Sequence, residues 1–565
     1  MYVTTVVRRY AKGKSSRCVL LRESYRYNGK VKNRTLANLT ALPVEAIEAI
    51  KDVLNPATST RPPITVPTSA PVTPDQVAIE QGVSMGAVAT VYQVAQRLGL
   101  EQGLGRTHAG KLALWQVIAR VIQPGSRLAS VRLAREHAAC DLLGITQRFC
   151  EDDLYANLAW LSERQVKLEK ALFAQRRSGA AELFLYDVTS SDLEGDHNVL
   201  GAYGYNRDKK RGKQQIVVGL LTDAEGEPVS VEVFQGNTQD VTTFGSQVHK
   251  LAHTFGCRRV TVVGDRGMIK QVGIEALQAE DFYFISAITK PQIETWLNQQ
   301  VIALSQFDRV LAEVEVAAAD EEERPLRYIL KRNPVRAQQM AENRQRKKTA
   351  VLKRLTACNE RLARSSRAKL TVARREVNDE LIKLQLDGWH RLRKRRGQRQ
   401  LELVEDEAAL TAQSRLDGCY VIRTDLPAAA ASTETVHQRY RDLTEVEQGF
   451  RTCKTTHLEL RPWFVTGEAS TRGHALVVML AYKIVRELNR CWQSFDIEVG
   501  EALEALKQIT LTQVQIAGYP AFQRVPTPRP TLRKWLEAAQ ITLPETLPNR
   551  GTSVVTRKKL SESRK

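Results

Sequence analysis

The chain lacks any cysteine pairing that would organise a site. Its eight cysteines (Cys18, Cys140, Cys150, Cys257, Cys358, Cys419, Cys453 and Cys491) are scattered, with no C-x-x-C pair and no histidine at zinc-ligand spacing. Zinc ribbons and disulfide scaffolds are thereby excluded, and none of the thiols stands in a recognisable nucleophile's setting. Long apolar runs are also missing. The best, Ala475 to Tyr482, is far short of the ~20 residues of a membrane-spanning helix and reads as a buried helix. The opening MYVTTVVRRYAKGK has no apolar stretch behind its charges and no small-residue cleavage site, so export is not expected and the cytoplasm is. Acidic residues are the minority charge: 63 Asp plus Glu face 83 Lys plus Arg, a formal charge of +20. A surplus of that size points to a polyanion, nucleic acid ahead of membrane. With 565 residues, 42% of them hydrophobic, the chain can bury several cores.

Along the chain, β-prone stretches (Tyr2 to Val7, Cys18 to Tyr27), a turn at Asn28-Gly29 and a helix from Val44 to Leu54 predict a small basic α+β unit over 1–55. Six prolines between Pro56 and Pro74, mixed with Ser and Thr, predict an extended linker over 56–77. Helical spacing at Val91, Val94, Ala95 and Leu98, repeated at Leu114, Val117, Ile118 and Val121, predicts a helical domain over 78–178. Its Arg120, Arg127, Arg132 and Arg135 suit a DNA-contacting module of helix-turn-helix kind and suit a solvated basic face equally well. Strands follow at Leu183 to Tyr186, Gln215 to Leu221, Val229 to Phe234, Val260 to Val263 and Phe282 to Ile285, the second and third joined by a turn at Asp223 to Gly226. Helices at Val241 to Thr254 and Lys270 to Gln278 separate the later strands, which is the βαβ alternation of a mixed sheet over 179–292. A strongly basic stretch from Arg327 to Gly397 carries a thin apolar stripe (Leu352, Leu355, Leu362) and predicts a mainly helical insertion over 293–414. Sheet character returns at Cys419 to Ile422, with helices from Thr435 to Lys454 and through Ala475 to Leu488, placing the second part of the α/β core at 415–500. The C-terminal region, 501–565, ends in a basic tail, and no internal repeat is present.

Three acids stand where chemistry would need them. Asp187 ends the apolar run Leu183 to Tyr186, and Asp265 ends Val260 to Val263 in a glycine-flanked turn. A carboxylate at the end of a buried strand is costly to desolvate unless it is paired or bound to a cation. Taken alone, Asp187 reads equally well as a turn cap. Two such acids on neighbouring strands would be within reach of one ion, and oxygen ligands select Mg²⁺ or Mn²⁺. The third acid, Glu447, falls in a helix with Tyr440 and Lys454 at seven-residue intervals, which predicts one helical face carrying a phenol, an acid and a base.

The order Tyr440-x2-Leu443-x3-Glu447-x6-Lys454 resembles the Y-R-E-K signature of IS4-related bacterial transposases, and the sequence looks most like their IS1634 group. Thr189, Gly236-Asn237-x2-Asp240, Gly264-Asp265-Arg266-Gly267, Leu460-Arg461-Pro462 and Gly473-His474 extend the likeness over roughly 180–490, and Gly29-Lys30-Val31-Lys32 extends it to the N-terminal unit. One position departs: Leu443 stands where the signature has arginine, so that phosphate contact is either absent or moved to Arg439, Arg441 or Arg451.

The resemblance implies an α/β RNase H-like catalytic core, a mixed sheet flanked by helices, with a helical N-terminal domain and the basic insertion. It implies that Asp187, Asp265 and Glu447 are catalytic and metal-binding, holding Mg²⁺ that Mn²⁺ can replace. Tyr440, Lys454, Arg451 and Arg461 would bind DNA. The implied activity is a DDE transposase that binds terminal inverted repeats and target DNA, cleaves and transfers strands by direct transesterification, and works as a homodimer in the synaptic complex, nucleoid-associated when bound. Two other readings stand beside it: an RNase H-fold nuclease without strand transfer, and an inactive DNA-binding protein, against which the intact acid set argues. Asp240 is expected to order a loop beside the site. His474 is expected as a core or near-site histidine, and Trp463 as a packed core residue rather than a platform for an extruded base.

Overall fold

The computed structural model describes residues 1–9, 15–55, 73, 76–176, 183–195, 197–205, 212–316, 324–456, 458–460, 463–517, 519–548, 551–552 and 554–556. Most of the expected proline-rich linker and of the basic tail lies outside the described residues. The chain divides into two units, Met1–Ile79 with Val514–Ala521, and Glu80–Gln513 with Phe522–Lys565.

In the first unit, β1 (Tyr2–Arg9), β2 (Ser15–Tyr27) and β3 (Lys30–Asn38) form an antiparallel sheet in that order, followed by α1 (Val44–Leu54). Asn28 (φ 48°) and Gly29 (φ 74°) turn β2 into β3; two consecutive positive φ values match the right-handed twist of a hairpin, and Asn-Gly tolerates them. β3 goes beyond what hydropathy patterning reveals, because all nine of its residues are exposed.

The second unit opens with helices α2 (Gly86–Arg97), α3 (His108–Ile122), α4 (Arg127–Glu136), α5 (Glu151–Glu163) and α6 (Gln165–Ala174). Then come β4 (Leu183–Asp192), β5 (Gln215–Asp223), β6 (Pro228–Phe234), α7 (Asp240–His249), β7 (Thr261–Gly264), α8 (Gln271–Ala279) and β8 (Tyr283–Ala287). β9 (Ala312–Val316) and β10 (Leu326–Arg332) precede the long helix α9 (Pro334–Arg364), α10 (Leu370–Lys383) and the hairpin β11 (His390–Lys394) and β12 (Leu401–Glu405). The chain returns as β13 (Cys419–Thr424), α11 (Thr433–Arg441), α12 (Leu443–Arg451) and α13 (Glu468–Trp492).

Eight strands make one mixed sheet in the order β9-β10-β13-β8-β7-β4-β5-β6. β4, β7 and β8 are parallel neighbours, and the other pairings are antiparallel. The strands are apolar on both faces because both are covered. Phe184, Tyr186, Val262 and Phe284 pack under α7 and α8 with Phe244 and Leu277. Leu183, Leu185, Val263 and Ile285 face the opposite way, into a core shared with α12, α13 and helices α2–α5.

Two expectations need correction. Residues 326–332, placed by the sequence at the start of a helical insertion, belong to the central sheet as β10, with β9 beyond it. The run Arg391 to Lys394, also expected as helix, is strand β11. His390 and Leu392 are buried while Arg391 and Arg393 are exposed, a period of two that abundant charge obscured. The hairpin packs with α9 and α10 around a separate small core that includes Val351, Leu355, Val377, Leu381, Leu392 and Leu401.

Candidate active site

β4 and β7 run parallel with Tyr186 opposite Gly264. Asp187 and Asp265 are the next residues along each strand line, so the register sets them side by side where β7 ends. Alternation puts both on the side of Leu185 and Val263, the face on which Val446 and Phe450 of α12 pack. Asp187 is half-buried and Asp265 exposed. Each carboxylate accepts the backbone N–H of the residue after it: Val188 N donates to Asp187 Oδ1 at 2.8 Å, and Arg266 N to Asp265 Oδ1 at 2.7 Å.

Glu447 lies next to Val446 on α12 and is exposed. The Tyr440 phenol is pushed up, first by burial and then by the negative charge of Asp265, with Glu447 adding to the effect. The phenol therefore stays protonated and lies in the field of both carboxylates. Leu443 packs against the main core, so the position where the signature has a cation is apolar here.

The segment carrying these residues is not one regular helix. It breaks at Asp442 between α11 and α12 and widens to a π turn at Thr452–Thr456. Such widening shifts the facing of every later residue. Lys454 is accordingly buried, its Nζ donating to Thr189 Oγ1 of β4 at 2.7 Å. Arg451 is exposed, while Arg461 lies outside the described residues.

An all-oxygen donor set at a strand end is chemistry that suits a hard divalent cation. Among the described residues no group of three or more His, Cys, Asp or Glu is close enough to hold a metal ion as the side chains stand. The two aspartates are set side by side by the sheet, and Glu447 stands on a separate element, α12.

Several neighbours are structural. Trp463 is 1% exposed, donates from Nε1 to Ser191 Oγ at 2.9 Å and meets the His474 ring edge-on at 5.0 Å. His474 Nδ1 lies 2.8 Å from Arg127 Nη2, and burial followed by the charges of Arg120 and Arg127 holds its pKa well below the usual histidine value, so the ring is the neutral acceptor. Arg127 also donates to Gln116 Oε1 at 2.7 Å, and Arg120 to the Gly125 carbonyl at 3.0 Å. Both arginines are buried, which removes two of the four cations offered for a DNA-contacting helical face. A Cβ on Gly267 would lie 3.9 Å from Asp240 Oδ2, placing Asp240 beside the Asp265 turn from the sheet's other face.

Residues 179–484 match the family described as Transposase DDE domain. The chain belongs to that family. Residues 4–61 match a second description, IS1634 family transposase, N-terminal domain, so this DDE transposase is of the IS1634 insertion-sequence group. The DDE match runs from the start of the central sheet into α13 and contains Asp187, Asp265, Tyr440, Glu447 and Lys454. Membership implies a DNA transposase enzyme, and DDE transposases generally use divalent metal ions. No curated protein matches the sequence. One solved structure, described as "Cryo-EM structure of piggyBac transposase synaptic complex with hairpin DNA", aligns over 76% of this chain and 82% of that chain at 10% identity and a TM-score of 0.34, too loose a likeness to carry an argument.

Nothing in composition pointed to the Lys454–Thr189 bond or to the burial of Arg120 and Arg127. The π turn that redirects Lys454 has no residue-level signal of its own.

Proposed function

We propose that this DDE transposase moves its insertion sequence by binding the terminal inverted repeats as a homodimer and by metal-dependent cleavage and strand transfer on an RNase H-like core. The observation that carries the reading is the side-by-side placement of Asp187 and Asp265 on parallel strands, with Tyr440 in the field of both Asp265 and Glu447. The strand order β6-β5-β4-β7-β8, antiparallel through β5 and parallel from β4 to β8, supports the RNase H-like assignment.

Asp187, Asp265 and Glu447 would hold Mg²⁺, for which Mn²⁺ can substitute. When bound, the metal supplies charge stabilisation at the phosphodiester and acidifies water. The chain's own residues do the rest. The backbone N–H groups of Val188 and Arg266 fix the two aspartate planes, and Glu447 closes the third side. The protonated Tyr440 donates a hydrogen bond to Glu447 or to a DNA phosphate. Lys454, buried against Thr189, anchors the end of the catalytic helix to β4, while Arg451 and Arg461 contact phosphates. Hydrolysis frees a 3′-hydroxyl, which then attacks target DNA, so no covalent protein–DNA intermediate forms.

The test is cleavage of a labelled duplex carrying the element's own end, in Mg²⁺ or EDTA, by wild type, Asp187→Asn and Glu447→Gln. Metal-dependent nicking at the boundary should fall by about a hundredfold or more in either variant, with binding retained. A variant that still cuts would remove that acid from the mechanism.

A further inference from the structure

The β2–β3 hairpin of the first unit has no core of its own. From Ser24 to Asn38 every residue is exposed, on both faces of the ribbon. Between Ser15 and Asn38 it carries six cations (Arg17, Arg22, Arg26, Lys30, Lys32, Arg34) and one acid, Glu23. Burial of apolar area cannot be the reason for such a ribbon.

Its two faces differ. Tyr25 pairs with Lys32, Tyr27 with Lys30 and Glu23 with Arg34 on one face. There Lys32 lies over the Tyr27 ring at 4.7 Å and Arg34 over Tyr25 at 5.8 Å, contacts that hold long basic side chains along the ribbon. Arg22, Ser24, Arg26, Val31, Asn33 and Thr35 occupy the other face. It is bonded internally from Ser24 Oγ to Asn33 Oδ1 at 2.6 Å and from Arg22 Nε to Thr35 Oγ1 at 3.3 Å.

A two-stranded ribbon, with backbones about 5 Å apart, is the β element that the ~12 Å wide major groove of duplex DNA admits. We infer that the β2–β3 ribbon is the end-recognition element, entering the major groove with Arg26 and Asn33 toward base edges and Lys30 and Lys32 toward phosphates. The charge complementarity is six to one. Arginine suits the N7 and O6 edge of guanine, and asparagine the N6 and N7 edge of adenine. The inference rests on the proposed reading of the chain as a transposase that recognises its ends, and it assigns that recognition to the first unit rather than to the arginines of α3 and α4.

The experiment selects binders for the full-length protein from a random-sequence duplex pool. It compares wild type, Arg26→Ala with Asn33→Ala, and Lys30→Ala with Lys32→Ala, then repeats wild-type binding on the enriched duplex with 7-deazaguanine replacing guanine. All four side chains are exposed, so thermal unfolding should match wild type and control for misfolding. Wild type should enrich one motif. The Arg26/Asn33 variant should lose about tenfold or more of that preference, as should the 7-deaza duplex. The Lys30/Lys32 variant should keep the motif while its log K against log salt slope drops by about one per lost phosphate. An Arg26/Asn33 variant that enriches the motif as strongly as wild type overturns the inference, as does indifference to 7-deazaguanine. A wild type that cuts DNA with metal but enriches no motif sinks the ribbon alone. Enrichment lost in the Arg26/Asn33 variant, with no metal-dependent cleavage by wild type, upholds the ribbon and sinks the catalytic reading.

Discussion

His474 and His137 are both buried, and burial is the largest cause disfavouring their charged forms. Burial, then Lys507, brings His137 down to about 4 against a smaller opposing pull from Glu504, and burial with the charges of Arg120 and Arg127 holds His474 well below its usual value. A folded-state pKa below the unfolded value of about 6.5 means that the unfolded chain binds more protons between the two. The resulting stability is complete above pH 6.5 and is lost as pH falls toward 4. Urea midpoints should therefore decline between pH 7 and pH 4.5, and a flat profile would show that these rings are not neutral in the fold. At this scale the strand-end positions of Asp187 and Asp265 were legible in the sequence, because an apolar run ending in a lone carboxylate is a local pattern. The arginines were not. Whether Arg127 faces solvent or donates inward to Gln116 and His474 depends on residues far along the chain, and helical spacing reports nothing of that.

Among the elements, α13 passes unusually close to α5. A Cβ at Gly473 would stand 2.0 Å from the Leu158 carbonyl oxygen, which is backbone and cannot rotate aside. Gly473→Ala should push the helices apart and cost about 1–3 kcal/mol by overpacking, read as a lower urea midpoint at unchanged m value. An unchanged midpoint would mean that the contact relaxes freely. The strands of the core were legible because β4, β5 and β7 are continuous apolar runs bounded by turn residues. The helix with Tyr440, Glu447 and Lys454 was legible as a helix only. Its break at Asp442 and its π turn have no signal in the helical spacing, and the expected single face does not carry Lys454 outward. β3, β10 and β11 went unread since cation-rich strands lack the apolar alternation on which strand recognition depends.

For the whole molecule, the charge of +20 makes a prediction that no single residue controls. Non-specific duplex binding should weaken by roughly three to five decades between about 50 and 200 mM salt if six to ten phosphates are contacted. A shallow slope in a filter-binding titration would contradict DNA as the partner of that surplus.

The sheet closes directly beneath the insertion: Arg332 pairs with Cys419, and Asn333 N donates to Gly418 O at 2.9 Å. Residues 334–417 therefore leave and re-enter the central sheet at one doorway. Because the helical hairpin and β11–β12 have their own apolar centre, this segment is in effect a pendant whose length does not set the register of the strands it hangs from. Lengthening or trimming it leaves the pairing of β10 with β13 as it stands.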